Sequence, residues 1–377
     1  SSTATLPLSL QHWVYLAEPG QTISTGDFDL TALKSLPAIP VEKKPGGPPL
    51  VVSDDPEYIR VREGLALREE IGPGIARIYI YNVNGIREAP TERRLTAVLE
   101  NLDTSDTLRF RFLRRAFPAP GSNYHKIGKA GLVGFLTSAP ETEWHEIPPA
   151  GAAPLDERME NAIVRGDDLV HGFYEIELTE RARLSVLQTS PETPGPLAAR
   201  RLQTILASPR KNAGRGVFHP SDYAVRAAPG FTLDTAGGPR QLLLADGETD
   251  PWIGGQESST TGPVVLRGNY GVMYRVEIPR ASGDGRALAL VTWNHRWKDQ
   301  WCGGMAAVVE VSEGAHPAGV VEIPSDQLNT TGPPELVVVQ VFPPLPPGQS
   351  DVIRLTFSPP GASCLPVPLV FLPIEAP

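Results

Sequence analysis

Long apolar runs, cysteine, methionine and excess positive charge are all scarce in this chain. No apolar run approaches the ~20 residues that cross a bilayer as a helix, so no transmembrane segment is expected. Only two cysteines and three methionines occur in 377 residues. That excludes a disulfide-dense framework and a cysteine-rich metal centre. Catalytic signatures are missing as well. There is no G-x-S-x-G nucleophile elbow. The seven histidines, at 12, 125, 145, 171, 219, 295 and 316, show neither HxH nor HExxH spacing, the short spacings by which zinc sites are usually announced. Against 43 Asp and Glu stand 34 Lys and Arg, a formal net charge of −9. Nucleic-acid binders carry the opposite balance or a dense basic stripe, so no nucleic-acid partner is expected. The densest basic cluster, Arg109, Arg111, Arg114 and Arg115, is interleaved with Leu108, Phe110 and Phe112 and reads as the solvated face of a strand.

Proline is what the chain has in quantity. Its 40 prolines and 36 glycines make up about a fifth of the residues, below the roughly 25–30% at which low-complexity disorder becomes the better reading. Proline fixes φ and lacks an N–H, so long helices and central parallel strands are disfavoured. Short apolar runs every 10–15 residues, broken by Pro or Gly, are what antiparallel sandwiches and jelly rolls produce. The expected fold is all-β: two antiparallel β-sandwich (jelly-roll-like) domains with an N-terminal strand arm.

Residues 1–50 read as that arm, with one strand over Leu8 to Leu16 and a Pro-rich tether ending in Lys43-Lys44-Pro45-Gly46-Gly47-Pro48-Pro49. Residues 51–190 read as the first sandwich. Arg77 to Val83 is a strand closed by a tight Asn84-Gly85 turn. Leu95–Leu102 with Thr107–Leu113, and Asp168–Leu178 with Ala182–Gln188, read as hairpins. Lys126 to Thr137 is the one helical candidate. A linker over 191–216 and a second sandwich over 217–377 complete the reading. The Ser-Ser-Thr-Ala-Thr start fits either a mature end left by signal-peptide removal or a cloning remnant.

Four segments carry a resemblance: Ile80-Tyr81-Asn82-Val83-Asn84-Gly85, Gly166-Asp167-Asp168-Leu169-Val170-His171-Gly172, Gly268-Asn269-Tyr270-Gly271-Val272-Met273-Tyr274-Arg275-Val276, and Pro359-Pro360-Gly361-Ala362-Ser363 followed by Leu365-Pro366-Val367. Together they resemble a family of largely uncharacterised exported bacterial β-rich proteins, often associated with copper-amine-oxidase-like stalk or other envelope domains. The resemblance implies an extracytoplasmic β-rich protein. It implies no activity, and the histidines lack copper-ligand spacing. The physical reading of the four segments is turn and strand, with a ligand-binding loop tip as the alternative for each.

Four candidate sites follow. In an exported protein Cys302 and Cys364 read as one disulfide, with two buried free thiols as the alternative. The loop Asp246-Gly247-Glu248-Thr249-Asp250 offers Asp246, Glu248 and Asp250 as oxygen ligands for a structural calcium, though without EF-hand spacing; an acidic turn is the other reading, and no other cofactor is expected. Trp293, His295, Trp297 and Trp301 lie within nine residues, where aromatic rings alternate with hydrogen-bonding groups. Such a stretch fits core packing, a subunit contact or a glycan platform. The arm residues Leu8, Leu10, His12, Val14 and Leu16 fit a donor strand that completes a neighbouring subunit's sheet.

The function expected from these readings is non-enzymatic: an extracellular structural protein, a subunit of a bacterial surface filament or layer that assembles with itself through its N-terminal arm. The rival is an envelope-polysaccharide-binding module using the Trp293–Trp301 loop, and a third reading is a hydrolase with carboxylates drawn from separate strands.

Overall fold

The computed structural model describes residues 5–297, 300–332 and 335–377, with the side chains of 296–301 outside the description. The chain is mostly β, with 41% strand and 12% helix. It divides into two compact units that are interleaved in sequence. One, the central unit, comprises Gly46–Ser221 and Trp252–Val272; the other, the terminal unit, comprises Ser1–Pro45, Asp222–Pro251 and Met273–Pro377. This corrects the sequential cut at 191–216. That stretch holds the helix Gly195–Arg201 and the strand Arg215–Phe218. It is not a linker, because Ala198 and Ala199 are fully buried against Leu65, Val98 and Leu187.

The central unit is a sandwich of a nine-stranded and a four-stranded sheet. Its core joins Ile78, Ile80, Val170 and Ile176 of the larger sheet to Leu67, Leu99, Leu184 and Val186 of the smaller. Successive side chains on a strand point to opposite faces. Arg77, Tyr79 and Tyr81 of the strand Gly74–Asn84, with His171 and Phe173 of Leu169–Leu178, therefore lie on the face away from that core. The helix Tyr124–Thr137 covers this face. Asn123 caps it by accepting the Lys126 N–H at 3.2 Å, and Phe135 stacks on Phe173 with ring centroids 3.9 Å apart.

The two expected hairpins of this region are corners instead. Arg94–Asn101 and Ala182–Thr189 belong to the smaller sheet, whereas Leu108–Ala116 and Leu169–Leu178 belong to the larger. Each short loop carries the chain across the core from one sheet to the other. Asn84-Gly85 is likewise no tight hairpin. The Asn84 amide donates to the carbonyls of Thr91 and Val164, at 2.7 and 3.0 Å, and its oxygen accepts the Ile86 N–H at 3.0 Å.

The terminal unit holds a five-stranded sheet, running Gln21–Ser24, Glu335–Phe342, Ala287–Thr292, Val370–Ile374 and Arg240–Gln241. Its seven-stranded sheet includes Val41–Gly46, Asp222–Ala227, Met273–Ala281 and Asp351–Phe357. The N-terminal segment is the main correction. Leu8–Leu16 is an α-helix, not a strand. The run satisfies both periods: Leu8, Leu10, Val14 and Leu16 fit an alternating pattern, while Leu6, Leu10, Val14 and Ala17 fall at helical spacing. The helical set prevails because it lands on an apolar sheet face, packing with Ala289, Val291, Leu336, Val338 and Leu372. The strand that follows it, Gln21–Ser24, pairs antiparallel with residues of Glu335–Phe342 in the same unit. The arm is therefore folded into its own unit.

Candidate functional site

Three of the four segments singled out in the sequence meet on the outer face of the central unit's larger sheet. Tyr79 and Tyr81 come from the strand Gly74–Asn84, two residues apart and so on one face, with ring centroids 6.4 Å apart. His171 lies on the neighbouring strand in register with Tyr81 and 5.0 Å from the Tyr79 ring. Tyr270, from the Gly268-Asn269-Tyr270-Gly271 turn, stacks on Tyr79 at 6.3 Å. The turn needs its residue types, since Gly268, Asn269 and Gly271 all have positive φ, at 95°, 50° and 92°, where only Gly and, less readily, Asn are unstrained. Asn269 also accepts the Ile253 N–H at 2.9 Å. On the other side a Cβ at Gly131 would lie 2.3 Å from the His171 ring, so only glycine lets the helix settle there.

The acids of the site come from an excursion of the chain. Leu50–Ser53 and Tyr58–Ile59 both run parallel to Gly74–Asn84, and 54–57 bulge between them. Asn82 pins the bulge: its amide donates to the Pro56 carbonyl and its oxygen accepts the Ser53 hydroxyl, both at 2.9 Å. Asp54 is thereby buried, with Oδ2 3.5 Å from Arg210 Nη2, while its Oδ1 has no hydrogen-bond partner. Burial pushes the Asp54 carboxyl up to about 8, with Arg210 opposing and Glu57 reinforcing the shift. Glu57, half-buried, is raised for the same reason. Burial and the nearby charges of Asp54 and Glu57 also raise the phenols of Tyr81 and Tyr270. His171 donates from Nδ1 to the Ile80 carbonyl at 2.8 Å, and its burial lowers the imidazole to about 4. Burial thus favours the uncharged forms of the Asp54 carboxyl, the phenols and the imidazole alike. Tyr58 and Tyr124 stand at its rim with hydroxyls 3.5 Å apart, and the exposed Arg210 closes one side.

Five of the nine tyrosines gather here. No local motif announces them, because they are spread from Tyr58 to Tyr270. Of the site's rings only Tyr81, His171 and Tyr270 lie in the segments quoted above, and nothing in the sequence links them to Tyr58 or Tyr124.

The other predicted sites are placed differently. Cys302 and Cys364 form the disulfide, with Cα atoms 6.1 Å apart. Trp293 is no ligand platform: it is 1% exposed and belongs to the core that receives the N-terminal helix. His295 is buried as well, which, with the charge of Lys34 adding, lowers it to about 4. The side chains of Trp297 and Trp301 lie outside the described residues. Of the donor-strand residues, Leu10 and Val14 are buried, His12 is half-buried, and Leu8 and Leu16 are exposed on the helix.

The proposed calcium ligands do not converge on a cation. Asp250 spends its carboxylate on the Lys43 ammonium, the Tyr274 hydroxyl and the Ala245 N–H. Asp246 accepts the N–H groups of Glu248 and Asp250, and Glu248 is exposed. Among the described residues, the acidic group whose ligand atoms lie within 4.8 Å of one another is Asp103, Asp106 and Glu180. There one Asp103 oxygen already accepts the N–H groups of Ser105 and Asp106. The arginine-rich strand is paired with acids, Arg111 with Glu177 at 2.9 Å and Arg115 with Glu141 at 2.7 Å. A cleft of about 620 Å³ on the terminal unit is likewise lined by charges that pair among themselves: Glu277 lies 3.5 Å from Arg354 and 3.9 Å from Arg226.

No family model matches the chain, and no curated protein matches it. Among solved structures it is similar to an oxalate decarboxylase of Lactobacillus farciminis in a formate complex, at 11% identity over 88% of each chain, with a TM-score of 0.14. At that score the likeness carries no argument about fold or chemistry. Among the described residues no helix is long and apolar enough to cross a membrane.

Proposed function

We propose that the protein is a non-enzymatic, extracellular component of the bacterial surface that binds envelope polysaccharide, with the tyrosine–carboxyl cluster of the central unit as its ligand site. One observation carries this reading: the buried, unpartnered Oδ1 of Asp54 beside a bank of phenols. A buried polar atom left unmade costs about 1–3 kcal/mol, and a ligand hydroxyl, both donor and acceptor, would relieve that cost once the 54–57 bulge shifts to admit it. Sugar rings present such hydroxyls together with apolar faces that suit tyrosine. The disulfide is in keeping with an oxidising compartment. Hydrolysis of a glycosidic bond is less well supported, because it needs two carboxyls whose proton affinities are driven apart. Burial raises Asp54 and Glu57 together.

Titration with oligosaccharides released from bacterial envelope tests the reading. Tyr270→Ala removes a half-buried ring from the site and is expected to weaken binding about tenfold, the equivalent of ~1.4 kcal/mol. Equal affinity in wild type and variant, or no binding by wild type at all, would overturn it.

A second reading is self-assembly through the N-terminal segment. The helix Leu8–Leu16 exposes Leu8, Trp13 and Leu16 at 56%, 65% and 64%. Large apolar side chains exposed together on one short helix are candidates for an association surface. A helix face, and not a donated strand, would make the contact. Sedimentation should show wild type associating and Trp13→Asp monomeric; a monomeric wild type sinks this second reading.

A further inference from the structure

The best-defined buried polar cluster outside the ligand site lies in the terminal unit, around Asp250. Three adjacent strands, Val41–Gly46, Asp222–Ala227 and Met273–Ala281, put Lys43, Tyr223 and Tyr274 side by side. Tyr223 and Tyr274 are direct cross-strand partners with rings stacked at 5.6 Å. The Lys43 ammonium sits over the Tyr223 ring, 5.3 Å from its centre. Asp250 arrives from the 246–250 loop, which is folded to aim it. Asp246 accepts the Asp250 N–H at 2.7 Å, and the Gly247 N–H donates to the Asp250 carbonyl at 3.1 Å.

The two carboxylate oxygens of Asp250 have distinct surroundings. Oδ1 is met by the Lys43 ammonium. Oδ2 accepts both the Tyr274 hydroxyl and the Ala245 N–H, the latter at 2.8 Å. Tyr274 is fully buried and Asp250 is 1% exposed. An amine held against one oxygen of a buried carboxyl, whose other oxygen rests in a pair of fixed donors, is the arrangement needed for acyl transfer. Donors preorganised at the oxygen that gains charge stabilise a tetrahedral intermediate, and a held pair of reactants avoids the entropy of encounter.

We propose that Lys43 and Asp250 condense to an intramolecular amide that covalently ties the N-terminal segment to the 246–250 loop. In the first step one proton passes from Nζ to Oδ1 along the contact between them. The neutral amine then adds to Cγ, and the charge that develops on Oδ2 is held by Tyr274 and Ala245. The Cγ–Oδ1 bond breaks, and Oδ1 leaves as water with that proton and a second from Nζ. One N–C bond forms, one C–O bond breaks and one water is released. No oxidant or cofactor is consumed. The residual Nζ–H and Oδ2 form an ordinary secondary amide, with Oδ2 still accepting its two hydrogen bonds.

Such a bond closes a long loop. Lys43 and Asp250 are 207 residues apart, so its entropic effect on the unfolded chain is large by the logic that applies to disulfides.

Intact-mass measurement of the full-length folded protein, after reduction of the disulfide, decides the matter. The expected wild-type mass is short of the sequence value by one water, and proteolysis yields a branched peptide joining Lys43 to Asp250. Lys43→Arg keeps the positive charge but has no amine able to form this amide, and should show its full sequence mass, as should Asp250→Ala. Tyr274→Phe removes one donor from Oδ2 while retaining the ring, and should slow the appearance of the condensed species in freshly refolded protein. A wild-type chain that keeps its full mass after prolonged incubation in the folded state overturns the proposal.

Discussion

The two units each bury an aspartate among tyrosines, yet they treat it in opposite ways. In the terminal unit Asp250 has every oxygen engaged, by a lysine, a phenol and a backbone N–H. In the central unit Asp54 has an arginine 3.5 Å from one oxygen and nothing on the other. Residue type and burial are nearly the same. What differs is whether the surrounding strands supply enough partners. A saturated cluster has nothing left to offer a ligand and serves the fold, or reacts within it. An unsaturated one holds back part of its hydrogen-bonding capacity, and that remainder is what a second molecule can use.

The contrast can be broken by removing each acid in turn. Asp250→Ala leaves Lys43 and Tyr274 facing an emptied position, and breaking a buried pair costs about 3–5 kcal/mol; urea unfolding should show a midpoint lowered to match. If Asp250→Ala is as stable as wild type, the cluster is not the structural one described. Asp54→Asn is expected to act the other way. Its folded-state value, about 8, lies above the ordinary 3.8. The protonated form is therefore favoured by folding, and stability is lost as pH rises from the lower value through the higher. His171, lowered to about 4 from 6.5, opposes this on the acid side, its contribution being lost as pH falls through 4. Between pH 6.5 and 8 only the Asp54 slope remains of these two, worth about 2 kcal/mol at ~1.4 kcal/mol per pH unit. The variant, neutral throughout, should flatten that slope and be the more stable protein at pH 8. An unchanged slope would place Asp54 in a more hydrated setting than its burial indicates. The smallest effect on stability belongs to Trp13→Asp: its ring is 65% exposed, and surface changes of this kind stay within about 0.5 kcal/mol.

Much of the architecture is legible in the residues, but at a particular scale. Strand identities such as Gly74–Asn84 and Leu169–Leu178 follow from local composition, and the helix Tyr124–Thr137 from apolar spacing. What each loop does with the strands it joins does not follow. Thr179-Glu180-Arg181 is short enough to be a hairpin loop, yet it connects two sheets and not two partners in one. The energy that decides between hairpin and corner comes from residues such as Leu184 and Val186, which find their contacts across the core. The N-terminal run teaches the same point. Its nine residues are compatible with both a strand and a helix, and the apolar face formed by Val291, Leu336 and Val338, some 300 positions away in the chain, selects the helix.

The candidate sites divide along the same line. The cysteine pair was readable because a chain with only two cysteines offers a single possible pairing. Tyr58, Tyr79, Tyr81, Tyr124 and Tyr270 were not readable as a group, nor was Lys43 as the partner of Asp250, because chemistry of this kind depends on distances that sequence order does not encode. Composition alone determined that this chain would be β-rich, broken into short strands by its prolines and without long helices, since those are properties of φ, of missing N–H groups and of side-chain alternation. Only the tertiary structure decided that its two units would interleave, that the arm would be a helix within one of them, and which buried aspartate would be left with an open oxygen. Those outcomes rest on contacts between residues far apart in the chain, where burial and the count of available partners, and not local preference, set the free energy.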